Sequence, residues 1–191
     1  QTFWAKAQYP GVTDGDTSHR VQFTANGDRY GLQGERLHVG DRFRPEAGFV
    51  RRDDFTKTRL QGRFSPRPTR ISGVRKFTYQ SSVEYFENGA GQKETRELIG
   101  DVQVEFQSSD ELRFHVQDNF ELLVAPFEIA RGIVVPTGGY TLRTYRGQLN
   151  VGEQRRASGT LFVEKGPFWG GERTGVGVSS ARVKVCPYLA I

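Results

Sequence analysis

About ten stretches of alternating apolar and polar residues run along this chain, and that period of two constrains its fold more than any single motif. In residues 76–86, Phe77, Tyr79, Ser81, Val83 and Tyr85 alternate with Lys76, Thr78, Gln80, Ser82 and Glu84. The next stretch sets Leu98, Gly100, Val102, Val104 and Phe106 against Glu97, Ile99, Asp101, Gln103 and Glu105. The one after sets Leu112, Phe114, Val116, Phe120 and Leu122 against Arg113, His115, Gln117, Asn119 and Glu121, with Asp118 breaking its apolar side. Lys57, Arg59, Gln61 and Arg63 oppose Thr58, Leu60, Gly62 and Phe64, and Ala157, Gly159, Leu161 and Val163 oppose Ser158, Thr160 and Glu164. Near Gly34 and Glu35 the alternation slips, which predicts a β-bulge. Helical periodicity is missing throughout.

The turn chemistry agrees with strands. Asn26-Gly27-Asp28 is a hairpin signal, and Ser65-Pro66-Arg67-Pro68 cannot continue a central strand. Long connectors are expected near 10–17, 39–54, 87–93, 124–139 and 166–172, and short turns near 26–28, 65–70, 107–110, 152–155 and 186–188. Short turns on one side and long loops on the other are the plan of a transmembrane β-barrel. The expected fold is all-β: an antiparallel up-and-down meander of about ten long strands, an outer-membrane-type barrel or a large segment of one. Strands of about 9–11 residues or more suit a tilted crossing of a bilayer, whereas strands of soluble proteins usually run about 5–6. Phe64, Phe106, Phe120, Tyr140 and Tyr145, near strand ends, fit interfacial girdles or, equally, the core of a soluble barrel.

Over 191 residues no shift in composition marks a second domain, so residues 1–191 are read as one. The sequence holds no Met, Gln1 begins within a strand pattern, and Ile191 follows Tyr188 and Leu189 as though a strand were starting. The chain therefore reads as an internal fragment of a longer protein. Hydrophobic content of 36% and a mean hydropathy of -0.58 exclude helical membrane spans but not a barrel, in which every second residue meets lipid. The lone Cys186 excludes a disulfide framework, and the net charge of +5 is spread along the chain, so no nucleic-acid partner is expected.

Residues 40–55, GDRFRPEAGFVRRDDF, resemble the long-loop signature of the DUF5916 family. Phe64-Ser65-Pro66-Arg67-Pro68, Pro126-Phe127-Glu128-Ile129 with Pro136 to Tyr140, and Gly170-Gly171-Glu172-Arg173-Thr174 resemble it in order and spacing. The resemblance implies a C-terminal barrel in the bacterial outer membrane, following a carbohydrate-binding, family-9-like module. It carries over no catalytic residue.

Candidate chemistry centres on the polar faces. With apolar faces toward lipid, Lys57, Arg59, Arg63, Lys76, Glu97, Asp101, Glu105, Arg113, Glu121 and Arg146 would line a lumen. They would form either a conduit that filters solutes by charge or a set of cross-strand pairs that fill the interior. His19, His38 and His115 lack zinc-enzyme spacing, and Asp14-Gly15-Asp16 lacks the following ligands of a calcium loop. Asp53-Asp54 and Glu94 with Glu97 are more simply solvated charges than glycosidase pairs. The apolar connector 124–139 could fold into the lumen, pack on an upstream module or bind a ligand; Phe168 and Trp169 could stack on a sugar. The function expected is a non-enzymatic transport conduit or membrane anchor in a carbohydrate-associated surface protein. Its partners are the lipid bilayer and, through that association, carbohydrate or the upstream module; no cofactor or metal is expected. The alternative is a soluble antiparallel barrel with a hydrophobic ligand in an internal cavity.

Overall fold

A computed structural model describes residues 1–6, 17–43, 54–168 and 171–183; for Ala130 and Phe168 the backbone alone is described. The strands are β1 (Thr2–Lys6), β2 (Thr17–Asn26), β3 (Tyr30–Val39), β4 (Phe55–Phe64), β5 (Val74–Asn88) and β6 (Lys93–Phe106). They continue with β7 (Glu111–Leu123), β8 (Phe127–Ala130), β9 (Ile133–Val135), β10 (Gly138–Val151), β11 (Ala157–Phe168) and β12 (Gly171–Val183). Ten of them form one antiparallel meander in the order β1-β2-β3-β4-β5-β6-β7-β10-β11-β12, and β8 and β9 form a separate hairpin. Among the described residues β1 and β12 are the two edges and do not pair, so the sheet is open.

The period of two decides which side chains meet. Directly paired residues share a face. One row across the sheet therefore reads Tyr30, Phe64, Tyr79, Val102, Phe114, Gly147, Val163 and Val176. The row carrying Gln80 reads Arg63, Gln80, Asp101, His115, Arg146 and Glu164. Rings of the first row stack: Tyr30 and Phe64 are 5.1 Å apart between centroids, and Phe64 and Tyr79 6.2 Å. Such offset contacts add to the ladder's own stability.

Among the described residues no apolar core underlies the sheet. The buried hydrophobic side chains among them are Val39, Phe55 and Val135, whereas many of those in the apolar rows lie open, from 37% exposed at Val102 to 79% at Val176, and others, among them Phe77, Val83, Val104 and Phe120, are half-buried. The polar rows are the more enclosed. In the middle of β7, β10 and β11, Phe114, Val116, Tyr145, Leu161 and Val163 are exposed while His115, Gln117, Arg146, Phe162 and Glu164 between them are partly buried.

Four sequence expectations are corrected. The connectors do not alternate regularly: residues 89–92 are a tight turn, two residues join β11 to β12, and the Pro-rich connector 65–73 is longer than either. Gly166 and Pro167 look like loop residues but continue β11, pairing with Arg173 and Glu172. Register runs unbroken through Gly34 and Glu35; Leu37, apolar on the polar face, is what imitates a slip. The irregularities fall instead at Val74/Lys76, Phe86/Glu87 and Ser158/Thr160. Tyr140 pairs with Glu121 on the polar face, so it does not join the outer aromatics, and its hydroxyl donates to the Pro136 carbonyl at 2.8 Å.

Turns at one end are pinned by charge. Asp110, in the β6–β7 turn, accepts the Gly152 amide at 2.9 Å and is gripped by Arg155 of the β10–β11 turn. Asp28, in the β2–β3 turn, accepts Arg67 Nη2 at 2.9 Å. At the opposite end Gly91, at φ 75°, lets its amide reach back to the Asn88 carbonyl at 2.8 Å, a backbone that an L side chain adopts only with strain.

Candidate functional site on the polar face

The register puts Lys57, Arg59, Arg63, Lys76, Glu97, Asp101, Glu105, Arg113, Glu121 and Arg146 on one face, although they come from five strands. Strand alternation alone dictates this within each strand. Between strands, the pairings Arg63 with Gln80, Gln80 with Asp101, and His115 with Arg146 align the sets.

Partners on this face divide it into three regions. On β4 and β5, Lys57 Nζ lies 3.1 Å from Glu84 Oε2, and Arg59 Nη1 3.8 Å from the same oxygen. Arg63 donates to the Gly27 carbonyl at 2.6 Å and to Ser65 Oγ at 2.8 Å, so it ties down the neighbouring turn. Lys76 is registered opposite Glu105, but the carboxylate is paired by Arg75 of the bulge at 3.4 Å.

The second region is acidic. Glu84 and Glu97 stand directly opposite each other, and Glu97 accepts Gln117 Nε2 at 2.6 Å. Like charges in that position repel, which the Gln117 amide and Lys57 offset. A cavity of about 300 Å³ beside them is lined by Glu84, Glu97 and Glu121, with Arg96 and Asn119.

The third region is basic. Asp101 is buried and accepts Arg113 Nε at 2.9 Å, and its carboxylate lies 3.0 Å from His115 Nδ1. Arg146 lies with its guanidinium carbon 4.3 Å from the Phe162 ring centre, donates to Gln148 Oε1 at 3.2 Å and approaches Glu164 at 3.7 Å; Glu164 is also paired by Arg173. A cavity of about 310 Å³ opens between Arg113, His115, Arg146 and Gln148.

Other candidates fare differently. His19 and His38 are directly paired, with ring centroids 5.0 Å apart, and His38 Nδ1 is 3.0 Å from Thr56 Oγ1. Among the described residues no three His, Cys, Asp or Glu side chains gather as a metal site. Glu94 lies at a register irregularity, and Glu97 is engaged by Gln117. Connector 124–137 forms the β8–β9 hairpin, with Phe127, Ile133 and Val134 exposed. Asp14, Gly15, Asp16, Asp53, Trp169, Cys186 and the Phe168 side chain lie outside the described residues, as does most of 40–55.

Sequence reasoning missed what register alone supplies: Glu84, Glu164 and Phe162 as partners of the expected cations. It also missed a charged cluster on the apolar face. Asp118 accepts Arg96 Nη2 at 2.8 Å and Arg143 Nη2 at 2.6 Å. The break Asp118 makes in its apolar pattern was the available signal. On the same face a groove of about 1190 Å³ is floored by Gly62, Ser81 and Gly100 and walled by Tyr30, Phe64 and Tyr79. No family model, curated protein or solved structure matches this chain.

Proposed function

We propose that this chain is a segment of a β-barrel in the bacterial outer membrane, serving without catalysis as a transport conduit or membrane anchor. The observation that carries this reading is the inversion of exposure: large apolar side chains cover the open face of the sheet, and paired charges occupy the enclosed one. In water such a face is a liability, since a contiguous exposed apolar surface of this extent favours association. In lipid it is the required surface, while the polar rows supply an aqueous interior.

Strand dimensions support the reading. On β6 the open face is uncharged from Leu98 to Phe106, which matches the roughly 9–11 residues that a tilted strand needs to cross the hydrocarbon layer. The stacked Tyr30, Phe64 and Tyr79 sit toward one end of their strands, where a girdle belongs. The link to carbohydrate and to an upstream binding module rests on the resemblance of the loop segments to DUF5916 barrels.

The soluble alternative has the groove above Gly62 and Gly100 in its favour as a seat for a hydrophobic ligand. It requires the apolar face to turn inward, opposite to the observed exposures. The deciding experiment is purification with and without detergent, followed by circular dichroism, sizing and liposome flotation. A folded chain that needs detergent and floats with liposomes is expected. A monodisperse folded species in plain buffer that stays with the aqueous fraction would sink the membrane reading.

A further inference from the structure

We infer that Arg113, His115, Arg146 and Gln148 form a binding site for an oxyanion, the carboxylate or phosphate group of a small solute. The four side chains make a square across two neighbouring strands: Arg113 stands opposite Gln148, and His115 opposite Arg146. The cavity they enclose, about 310 Å³, is of the size that takes a small molecule.

Both guanidinium groups are held before any ligand arrives. Arg146 lies against Phe162, hydrogen-bonds Gln148 and approaches Glu164. Arg113 is anchored to Asp101 through Nε, a geometry that leaves its terminal nitrogens clear of that carboxylate. Guanidinium groups fixed in this way recognise carboxylate and phosphate through paired N–H donors, with little rotamer entropy left to lose.

The make-up of the cavity wall distinguishes the arrangement from ion pairs that merely fill space. Among the described residues that wall is Arg113, His115, Arg146 and Gln148, with no carboxylate in it; Asp101, Glu164 and Glu111 lie outside that lining and have partners of their own. The cavity by Glu84, Glu97 and Glu121 on the same face has the opposite bias and serves as an internal contrast. Because the site is built within the enclosed face, its occupancy and the membrane placement of the chain are separate questions with separate readouts.

The test titrates the full folded chain, in whichever medium circular dichroism finds it folded, with inorganic phosphate and in parallel with acetate, at constant ionic strength in chloride, by calorimetry. Saturable binding of at least one anion is expected, and the preferred one identifies the ligand group. Arg146→Gln and Arg113→Gln should each weaken it about tenfold or more, as loss of a charge-assisted hydrogen bond does. Arg143→Gln, the same charge change on the opposite face, should leave it within about twofold. Arg146→Lys keeps the charge but not the fork and should still weaken binding about threefold or more, which covers the case in which Arg146→Gln does not fold. Absence of saturable binding to both anions, or equal losses in all the Gln variants, would overturn the site. Flotation read on the same preparation separates the two proposals: a chain that floats but binds neither anion loses the site alone, and one that binds without floating loses the membrane reading alone.

Discussion

Asp101 and Asp118 lie on neighbouring strands, each with a side chain 8% exposed and each held by two basic groups, yet they face opposite sides of the sheet. Asp101 is bound by Arg113 and His115 among other polar side chains; Gln80 stands beside it in register. Asp118 is bound by Arg96 and Arg143 but sits opposite Leu98 and between Val116 and Phe120 along the apolar face. The same local device thus has different dependence on completeness. On the polar face a lost partner can be replaced by a neighbour or by water. On the apolar face the triad must be whole, because its neighbours offer no hydrogen bonds.

The largest effect follows from that difference. Asp118→Asn removes the charge that compensates two arginines and should cost about 1–3 kcal/mol, the buried-pair penalty reduced by the exposure of Arg143. Denaturant titration of the folded chain measures it. Replacing the whole triad by Leu, with Arg96→Leu and Arg143→Leu added to Asp118→Leu, should recover most of that loss, as apolar replacement of buried ion clusters does. If Asp118→Asn were as stable as the parent, the triad would not act as a unit. The matched change Asp101→Asn should cost less, about 1 kcal/mol, because His115 and Gln80 beside it offer hydrogen bonds where Leu98 beside Asp118 offers none. By relieving Arg113 of its counter-charge it should also tighten phosphate binding at the adjacent site. Equal losses at the two positions would erase the distinction between the faces.

A smaller effect lies in the turns, outside both faces. Asp110 accepts hydrogen bonds from Arg155, the Gly152 amide and Ser108, and the Arg155 guanidinium beside it holds its carboxyl far below the usual carboxylate range. In the unfolded chain the group returns to about 3.9. A folded-state value below the unfolded one means that the clamp stabilises fully above about pH 4–5 and fades as pH falls below that. Arg155→Gln should therefore lower stability at neutral pH and flatten its decline between about pH 5 and 2. A pH series of unfolding midpoints checks it; an unchanged acid slope would mean that the two turns are not coupled through this pair.

What the sequence revealed and what it hid follow from how far apart the interacting residues lie. Alternation is local, so the faces of β5, β6 and β7 could be read directly, and Asn26-Gly27-Asp28 marks its turn because hairpin chemistry is confined to those residues. Partner choice is not local. Asp101 meets His115, and Arg146 meets Glu164, only through a register fixed by the turns between their strands. Connector lengths misled where glycine and proline sit inside strands: Pro167, at the end of β11, keeps its place because the ladder there is closing and one missing N–H costs little. The Asp118 triad was hidden for a further reason, since a lone charge in an apolar pattern looks like a broken strand until Arg143 is placed across from it and Arg96 diagonally beside it.

The smallest effect tests what covers the open face. A Cβ added at Gly62 or Gly100 would meet nothing within 4 Å, and neither residue has the positive φ that would strain an alanine. With solvent or fluid acyl chains over the groove, Gly62→Ala and Gly100→Ala should change stability by no more than about 0.5 kcal/mol, with any shift in the stabilising direction because alanine loses less backbone freedom than glycine. A close-packed protein surface over the same groove would make the added methyl groups intrude on a fixed neighbour, and the cost would rise to about 1–3 kcal/mol, as overpacking does. Measuring both variants in detergent and in liposomes therefore separates the coverings: losses near zero in both leave a fluid covering, solvent or lipid, on the face, and a loss confined to liposomes would place a second protein surface there.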